Sequence, residues 1–185
     1  MPPSNAASRD ADQAPGLARR LARWRVPLGF LAAPVALLLA RPTWRSLALG
    51  GAIAAAGELI RLWAAGHLEK GREVTTSGPY RWCAHPLYLG SALMAAGFVA
   101  ASRMWPVAVL VAAYVLAAMA AAIRSEETEL RRAFGDEYLA YQERRFMPVR
   151  RRFSVARAWR NREYRAVGGL AAVWVVLALK TWFGL

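Results

Sequence analysis

The chain has 185 residues, 57% of them apolar, and a formal net charge of +13, and its charges lie in blocks between apolar runs. Apolar runs separated by basic blocks are typical of a polytopic membrane protein. A soluble nucleic-acid-binding domain would interleave basic and aromatic residues on one fold, so we predict no nucleic-acid partner. One cysteine, Cys83, excludes an intrachain disulfide, and only two histidines, His67 and His85, argue against a protein-ligated metal.

The chain begins with a polar segment that differs in composition from everything after it. Residues 1–22 are rich in Ala, Ser, Pro and charge, and we predict a disordered basic tail. The first apolar run begins only after several arginines, which does not fit a cleavable signal peptide. We predict that residues 23–185 form a single membrane-embedded domain.

Apolar segments of near-spanning length recur along this domain. They predict an all-α fold, a polytopic membrane helical bundle of about five transmembrane helices. The predicted spans are residues 26–40, 44–65, 86–102, 104–123 and 166–183. Arg41-Pro42 and Arg103 mark tight turns, and we expect Lys180 to extend its ammonium group toward the membrane surface.

The basic residues fall mainly in alternate connections, which predicts the orientation. The N-terminal tail, residues 66–85 and residues 124–165 are strongly basic, whereas the other turns and the C-terminus carry few cations. Under the positive-inside rule the N-terminus is cytoplasmic and the C-terminus is outside. The protein is thus predicted to be an integral, multi-pass membrane protein.

A polar helical segment lies between the fourth and fifth predicted spans, on the cytosolic side. Leu130, Phe134, Tyr138 and Tyr141 recur at three- and four-residue spacing and predict an amphipathic stripe. Gly135 is expected to divide the segment into two helices. Many arginines follow, and we interpret them as an anchor to anionic membrane lipids.

The start of the third span carries the sequence His85-Pro86. Proline suits the first turn of a helix, and the next amide groups, at Leu87 and Tyr88, are expected to face outward and favour an anion. Gly90 would let a ligand approach the backbone closely. The alternative is an interfacial histidine at a helix start, with Gly90 serving helix packing.

Two adjacent carboxylates, Glu126 and Glu127, close the fourth span. They suit a bound ammonium or sulfonium group, although pairing with neighbouring arginines such as Arg124 is the simpler alternative. The tight turn at Arg103 makes the third and fourth spans antiparallel neighbours, which brings His85 beside both carboxylates. An anion site next to two acids suits S-adenosylmethionine, which carries a carboxylate, an ammonium and a sulfonium.

Glu58 and Arg61 lie three residues apart within the second span. Charges at this depth are costly, so the pair is predicted to face a cavity and to bind substrate. A buried structural ion pair is the alternative.

These motifs together resemble a known family, the isoprenylcysteine carboxyl methyltransferases and their bacterial members, which are related to phospholipid N-methyltransferases. The resemblance rests on Thr-Ser-Gly-Pro-Tyr-Arg at 76–81, His-Pro-Leu-Tyr-Leu-Gly at 85–90 and Arg-Ser-Glu-Glu at 124–127. It extends over roughly residues 61–148, with motifs for the cofactor at 76–90 and 124–148.

The resemblance implies a cytosol-facing site for S-adenosylmethionine and a membrane-side tunnel for a lipophilic or prenylated acceptor. The implied cofactor-binding residues are Gly78, Tyr80, His85, Pro86, Tyr88, Leu89, Gly90, Glu126 and Glu127. Arg124 and Glu127 are the implied catalytic residues, and we add Glu58, Arg61 and Arg81 as substrate-binding candidates. Ala84 stands where the family commonly has arginine, which allows an acceptor different from the family's, with Arg81 as the candidate replacement for that arginine.

Several functions stay open at this point. An isoprenylcysteine-like carboxylate is the first acceptor considered, and a phospholipid amine or a thiol is the alternative on the same fold. A sterol-reductase-like enzyme using NADPH and a non-catalytic membrane protein are further alternatives. The sequence leaves the acceptor and the oligomeric state undetermined.

Overall fold

A computed structural model describes Gly29 and residues 31–185 of the chain. The described part consists of helices and connecting segments, without β-strands. The helices are α1 (31–39), α2 (Trp44–Ala65), α3 (Pro86–Ser102), α4 (Trp105–Gln142), α5 (Val155–Arg160) and α6 (Tyr164–Phe183), with a 3-10 turn at Gly78–Arg81. The prediction of an all-α fold is confirmed.

Three of these helices are long and apolar enough to cross a membrane, namely α2, α4 and α6. Helix α3 is a shorter apolar helix of 17 residues. The predicted first span, 26–40, is described only at residue 29 and from residue 31 on, and the predicted tail, 1–22, lies outside the described residues. These features are consistent with a helical membrane bundle.

Helix α2 begins at a capping box. The Thr43 hydroxyl accepts from the Ser46 amide at 3.3 Å, and the Ser46 hydroxyl oxygen accepts from the Thr43 amide at 2.9 Å. The Ser46 hydroxyl also lies 2.9 Å from the carbonyl oxygen of Ala101, near the end of α3. The start of α2 is therefore tied to the end of the antiparallel helix α3.

Two pairs of glycines bring α2 and α3 into close contact. A Cβ atom built on Gly57 would lie 2.5 Å from the carbonyl oxygen of Gly90, and one built on Gly97 would lie 2.5 Å from that of Gly50. The glycines are seven residues apart on each helix, so both pairs lie on the same helix face. Backbone approach of this kind requires small residues at the interface.

The tight turn between α3 and α4 matches the predicted hairpin. Arg103 ends α3 in the left-handed conformation, with φ of 56°, and α4 begins at Trp105. Helix α4 then runs to Gln142, so the polar segment expected after residue 123 is continuous with the membrane helix rather than separate. Gly135, with φ of 45°, kinks α4 at the predicted position.

The predicted stripe on the polar part of α4 is confirmed. Tyr138 and Tyr141 are buried against Val74, and Leu130 and Phe134 pack against this cluster. The cluster joins the end of α4 to the segment between α2 and α3. The cluster thereby holds the segment between α2 and α3 against the C-terminal part of α4.

Lys180 of α6 contacts the last turn of α1. Its ammonium group donates to the carbonyl oxygens of Leu37, Leu38 and Ala40, at 3.0, 2.8 and 2.9 Å. The last carbonyl groups of a helix lack partners within the helix and attract cations. Lys180 therefore caps α1 from α6.

Candidate active site

The α3–α4 hairpin brings His85 into contact with two carboxylates. His85 Nε2 lies 3.3 Å from Glu127 Oε1, and His85 Nδ1 lies 3.9 Å from Glu126 Oε2. The histidine precedes the first turn of α3, and the acids lie on α4, 41 and 42 positions further along the chain. The predicted meeting of these three side chains is confirmed.

A cavity of about 390 Å³ opens beside this cluster. It is lined by residues of α2, α3, α4 and the segment between α2 and α3, and it contains both charged and apolar groups. The lining residues are Arg61, Leu68, Lys70, Tyr80, Ala84, His85, Pro86, Leu87, Tyr88, Ala122, Ser125, Glu126 and Glu129. Six of the residues predicted from sequence are therefore at one cavity: Arg61, Tyr80, His85, Pro86, Tyr88 and Glu126.

Two charged residues of this cavity were missed by the sequence analysis. Glu129 follows Glu126 by three positions, which places both on one face of α4, and this spacing was the available signal. Lys70 lies in the irregular segment after α2, where no periodic pattern predicts the direction of a side chain. The cavity therefore carries more charge of both signs than expected.

Tyr80 lines the cavity and has a buried hydroxyl group. The residue is 7% exposed, and the hydroxyl has no hydrogen-bond partner among the described residues. Burial, reinforced by the nearby Glu126 carboxylate, raises the pKa of Tyr80, so the phenol stays protonated. A buried, unpaired donor is costly unless a ligand or water accepts its proton.

The backbone at the start of α3 differs from the expected anion site at Tyr88. The amide groups of Tyr88 and Leu89 each lie 3.1 Å from the carbonyl oxygen of His85 and donate to it. The prediction that the Tyr88 amide faces outward to an anion is therefore wrong. The local cause is the tight first turn of α3, in which the cap residue accepts these bonds.

The packing alternative for Gly90 agrees with its surroundings. A Cβ atom on Gly90 would lie 2.5 Å from both the Gly57 carbonyl oxygen and Arg61 Cγ. Gly90 thus faces α2 and is not among the residues that line the cavity. Its absent side chain leaves the space through which the Arg61 side chain crosses to α3.

Other predicted site residues also lie away from the cavity lining. Leu89 is 48% exposed, and Arg124 is exposed on α4. The Arg81 guanidinium lies over the ring of Trp82, 5.6 Å from its centroid. Gly78 adopts a φ of 58°, and a Cβ atom there would lie 2.5 Å from Cγ of His67, so this glycine is required by its turn and by the adjacent ring.

Arg61 belongs to a charged cluster with three members. Its Nε atom lies 2.7 Å from Glu163 Oε1 and 3.9 Å from Glu58 Oε2. Glu58 and Glu163 are buried, at 6% and 4% exposure. The predicted Glu58–Arg61 pair is thus present, but the closer partner is Glu163, which the sequence analysis missed because it lies about 100 residues away.

The basic segment after α4 has structural partners, beyond the lipid anchoring that we expected. Arg144 donates to the carbonyl oxygens of Arg81 and Trp82, at 2.9 and 2.8 Å. Arg151 pairs with Glu73 at 2.6 Å, and Arg157 pairs with Glu69 at 2.8 Å and lowers the pKa of that carboxyl. These arginines hold the segment that carries Tyr80 and His85.

His67 is buried within the segment between α2 and α3. Its titration offers a test of how the folded protein holds this segment. Burial, followed by the positive charges of Arg157 and Arg151, lowers the pKa of His67. The unfolded chain takes up this proton near pH 6.5, whereas the folded chain does so only at lower pH. We therefore expect stability to fall as pH decreases below about 6.5.

The measurement is thermal unfolding in detergent at pH 7.5 and pH 5.5, for wild type and His67→Asn. The variant should lose less stability between the two pH values, because asparagine does not titrate. An equal loss in both proteins would show that other groups control the acid sensitivity.

Two further cavities lie in a row with the charged one, each sharing lining residues with the next. A groove of about 460 Å³ between α3 and α4 shares Tyr88 and Ala122 with the charged cavity. An apolar chamber of about 360 Å³ shares Tyr114 with this groove and is lined by α1, α3, α4 and α6. The groove therefore adjoins the cavity at His85, and the apolar chamber adjoins the groove.

Residues 46–137, almost half of the chain, match the family model described as phospholipid methyltransferase. The matched range includes α2, α3, the segment between them and α4 as far as Glu137, so it contains the three-residue cluster at His85. No curated protein and no solved structure matches the chain significantly. The match supports membership of the broader family of membrane methyltransferases, and with it enzymatic methyl transfer.

Proposed function

We propose that this protein is an integral membrane methyltransferase that moves a methyl group from S-adenosylmethionine to the headgroup amine of a phospholipid-like acceptor. The observation that carries the proposal is the cavity lined by His85 and Glu126, with Glu127 in contact with His85. The match to phospholipid methyltransferases favours a lipid amine over other acceptors. All the residues that line the cavity lie within the matched range, 46–137.

The residues of the cavity fit S-adenosylmethionine in charge and in size. Glu126 and Glu129 are acceptors for cationic groups, and Lys70 and Arg61 suit a carboxylate. The unpartnered hydroxyl of Tyr80 is a donor that such a ligand would satisfy. When bound, S-adenosylmethionine supplies an electrophilic methyl group on a sulfonium, and the volume of about 390 Å³ lies in the range of small-molecule sites.

The contribution of the protein to this reaction is positioning, exclusion of water and removal of one proton. A neutral amine attacks through its lone pair, and the product nitrogen gains a positive charge, so an ammonium acceptor must first lose a proton. His85 is the proposed base, because its Nε2 lies 3.3 Å from Glu127 and the carboxylate stabilises the resulting imidazolium. The apolar groove between α3 and α4 offers the acceptor chain a path from the lipid.

An isoprenylcysteine-like carboxylate is the second candidate acceptor. The cations Arg61 and Lys70 at the cavity are the observation that favours it, since either can pair with an acceptor carboxylate. A carboxylate needs no base, so methyl transfer to it should not depend on His85 as a proton acceptor. The two candidates thus differ in a measurable way.

The proposed orientation places this cavity on the cytoplasmic side, with the N-terminus cytoplasmic and the C-terminus outside. The two strongly basic connections, residues 66–85 and 124–165, support it through the positive-inside rule. A cytoplasmic site would have direct access to a soluble methyl donor.

The decisive experiment incubates membranes containing the protein with S-adenosylmethionine labelled in its methyl group. We expect the label in a lipid fraction, as an N-methyl product that resists mild base and is identified by mass. A base-labile methyl ester would instead assign the carboxylate acceptor. Membranes without the protein are the control, and no labelled product above that control would reject methyl transfer to lipids.

A further inference from the structure

We propose that Glu163, acting through Arg61, is a positioning residue for the methyl-donor cavity. The inference rests on the proposed function, because it assigns Glu163 a role in the same cavity. Glu163 lies outside the range matched by the family model, 46–137, and immediately before α6. It therefore links the last helix of the chain to a site built by α2, α3 and α4.

The Arg61 side chain crosses from α2 to α3. Arg61 starts from α2, passes the open side of Gly90 and reaches α3, where Nη1 donates to the carbonyl oxygen of Leu87 at 3.4 Å and to the hydroxyl oxygen of Ser91. Leu87 is two residues after His85. The guanidinium thus holds the first turns of α3, and with them the position of His85.

The Arg61 side chain is itself held in place by an acidic partner. A guanidinium on a long side chain has many conformations unless a partner restricts it. Glu163 supplies that restriction, because its Oε1 lies 2.7 Å from Arg61 Nε and the residue is 4% exposed. The pair acts through charge attraction at close range, because neither of these two atoms makes a hydrogen bond to a described residue.

Glu163 is in turn held by backbone hydrogen bonds on both sides. Its backbone carbonyl accepts from the amides of Ala166 and Val167, at 2.9 and 3.2 Å, in the first turn of α6. Its own amide donates to the carbonyl oxygen of Ala158 in α5. The carboxylate is therefore fixed on the junction of two helices rather than on a loose loop.

The position of the pair explains why it should affect ligand binding. Arg61 lines the charged cavity, whereas Glu163 is not among the residues that line it. Loss of the Glu163 charge frees the guanidinium to move within the cavity and weakens its contact with α3. Removal of an outer partner of a binding residue typically costs about 10- to 100-fold in affinity, as seen at metal sites.

The test measures binding of S-adenosylhomocysteine, the demethylated donor, to purified protein by calorimetry, together with thermal unfolding. We expect Glu163→Gln to weaken binding about tenfold. Glu143→Gln is the control, since Glu143 also pairs with an arginine, Arg145, but neither residue lines the cavity. We expect the control to bind within about twofold of wild type, a difference that falls below 1 kcal/mol.

A second variant covers the case in which Glu163→Gln does not fold. Ser91→Ala removes only the hydroxyl that accepts from Arg61 on α3, and we expect it to weaken binding severalfold without loss of fold.

Wild-type affinity in a folded Glu163→Gln protein with a lower melting temperature would overturn the positioning role and leave a structural one. Equal affinity of Ser91→Ala and wild type would also overturn it. If wild type itself does not bind the probe, the proposed function fails first, so the two failures are distinguishable.

Discussion

Replacing His85 by alanine is expected to lower the rate of methyl transfer to a lipid amine by about 10²- to 10⁴-fold, the range attributed to a positioned acid–base group. The reason is geometric: His85 lies at the cavity and is oriented by Glu127 at 3.3 Å and Glu126 at 3.9 Å. The measurement is incorporation of labelled methyl groups at saturating donor and acceptor, compared across pH.

The pH dependence separates a base from a merely structural histidine. In the His85→Ala protein, activity should recover partly at high pH, because a growing fraction of the amine is already neutral. A histidine that only packs the site would leave a deficit independent of pH. Glu143→Gln, at an exposed carboxylate that pairs with Arg145, is the control and should keep wild-type activity.

Unchanged activity of His85→Ala would remove the base from the mechanism. It would favour the carboxylate acceptor, for which no proton has to leave before the attack.

The helices and the meeting of His85 with Glu126 followed from local sequence. Apolar length predicted α2 and α3 at their observed bounds, and the turn at Arg103 fixed which helices are neighbours. These features depend on contacts between segments joined by a short connection. Such contacts are visible in periodicity and in turn residues.

The remaining features depend on contacts between distant segments, which periodicity does not encode. Glu163 reaches Arg61 across about 100 residues, and Lys180 caps α1 from the last helix. Arg144 was interpreted as one of many lipid-facing arginines, yet it binds two carbonyl groups of the segment that carries the site. A basic residue in a basic block looks the same in sequence whether it faces lipid or a carbonyl group.

The glycines show the same limit. Gly90 stands in a motif that suggested ligand binding, but its open side faces Gly57 and Arg61 of α2. A glycine that admits a ligand and one that admits a neighbouring helix are identical in sequence. Only the group across the interface distinguishes them. For Gly90 that group is Gly57, and the second glycine pair, Gly97 with Gly50, lies seven residues away on each helix.

We predict that alanine changes the melting temperature in opposite directions at two helical glycines, one inside the α2–α3 interface and one outside it. Alanine is favoured over glycine inside a helix by about 1 kcal/mol. At Gly168 in α6, a Cβ atom built there would have no described atom within 4 Å apart from its chain neighbours and the nearby backbone of its own helix, so Gly168→Ala should raise the melting temperature by roughly 2–4 °C. At Gly97 the added carbon would lie 2.5 Å from the Gly50 carbonyl oxygen and 2.8 Å from Ala54 Cβ.

For Gly97→Ala, the backbone of α2 must therefore move away from α3, and overpacking of this kind costs about 1–3 kcal/mol. We expect its melting temperature in detergent to fall below that of wild type, against the helical preference of alanine, while Gly168→Ala rises above it. The comparison uses the same substitution in two apolar helices, so a general effect of alanine in the membrane domain cancels. A rise in both variants would mean that α2 and α3 are not packed backbone to backbone, and the route of Arg61 past Gly90 would lose its basis.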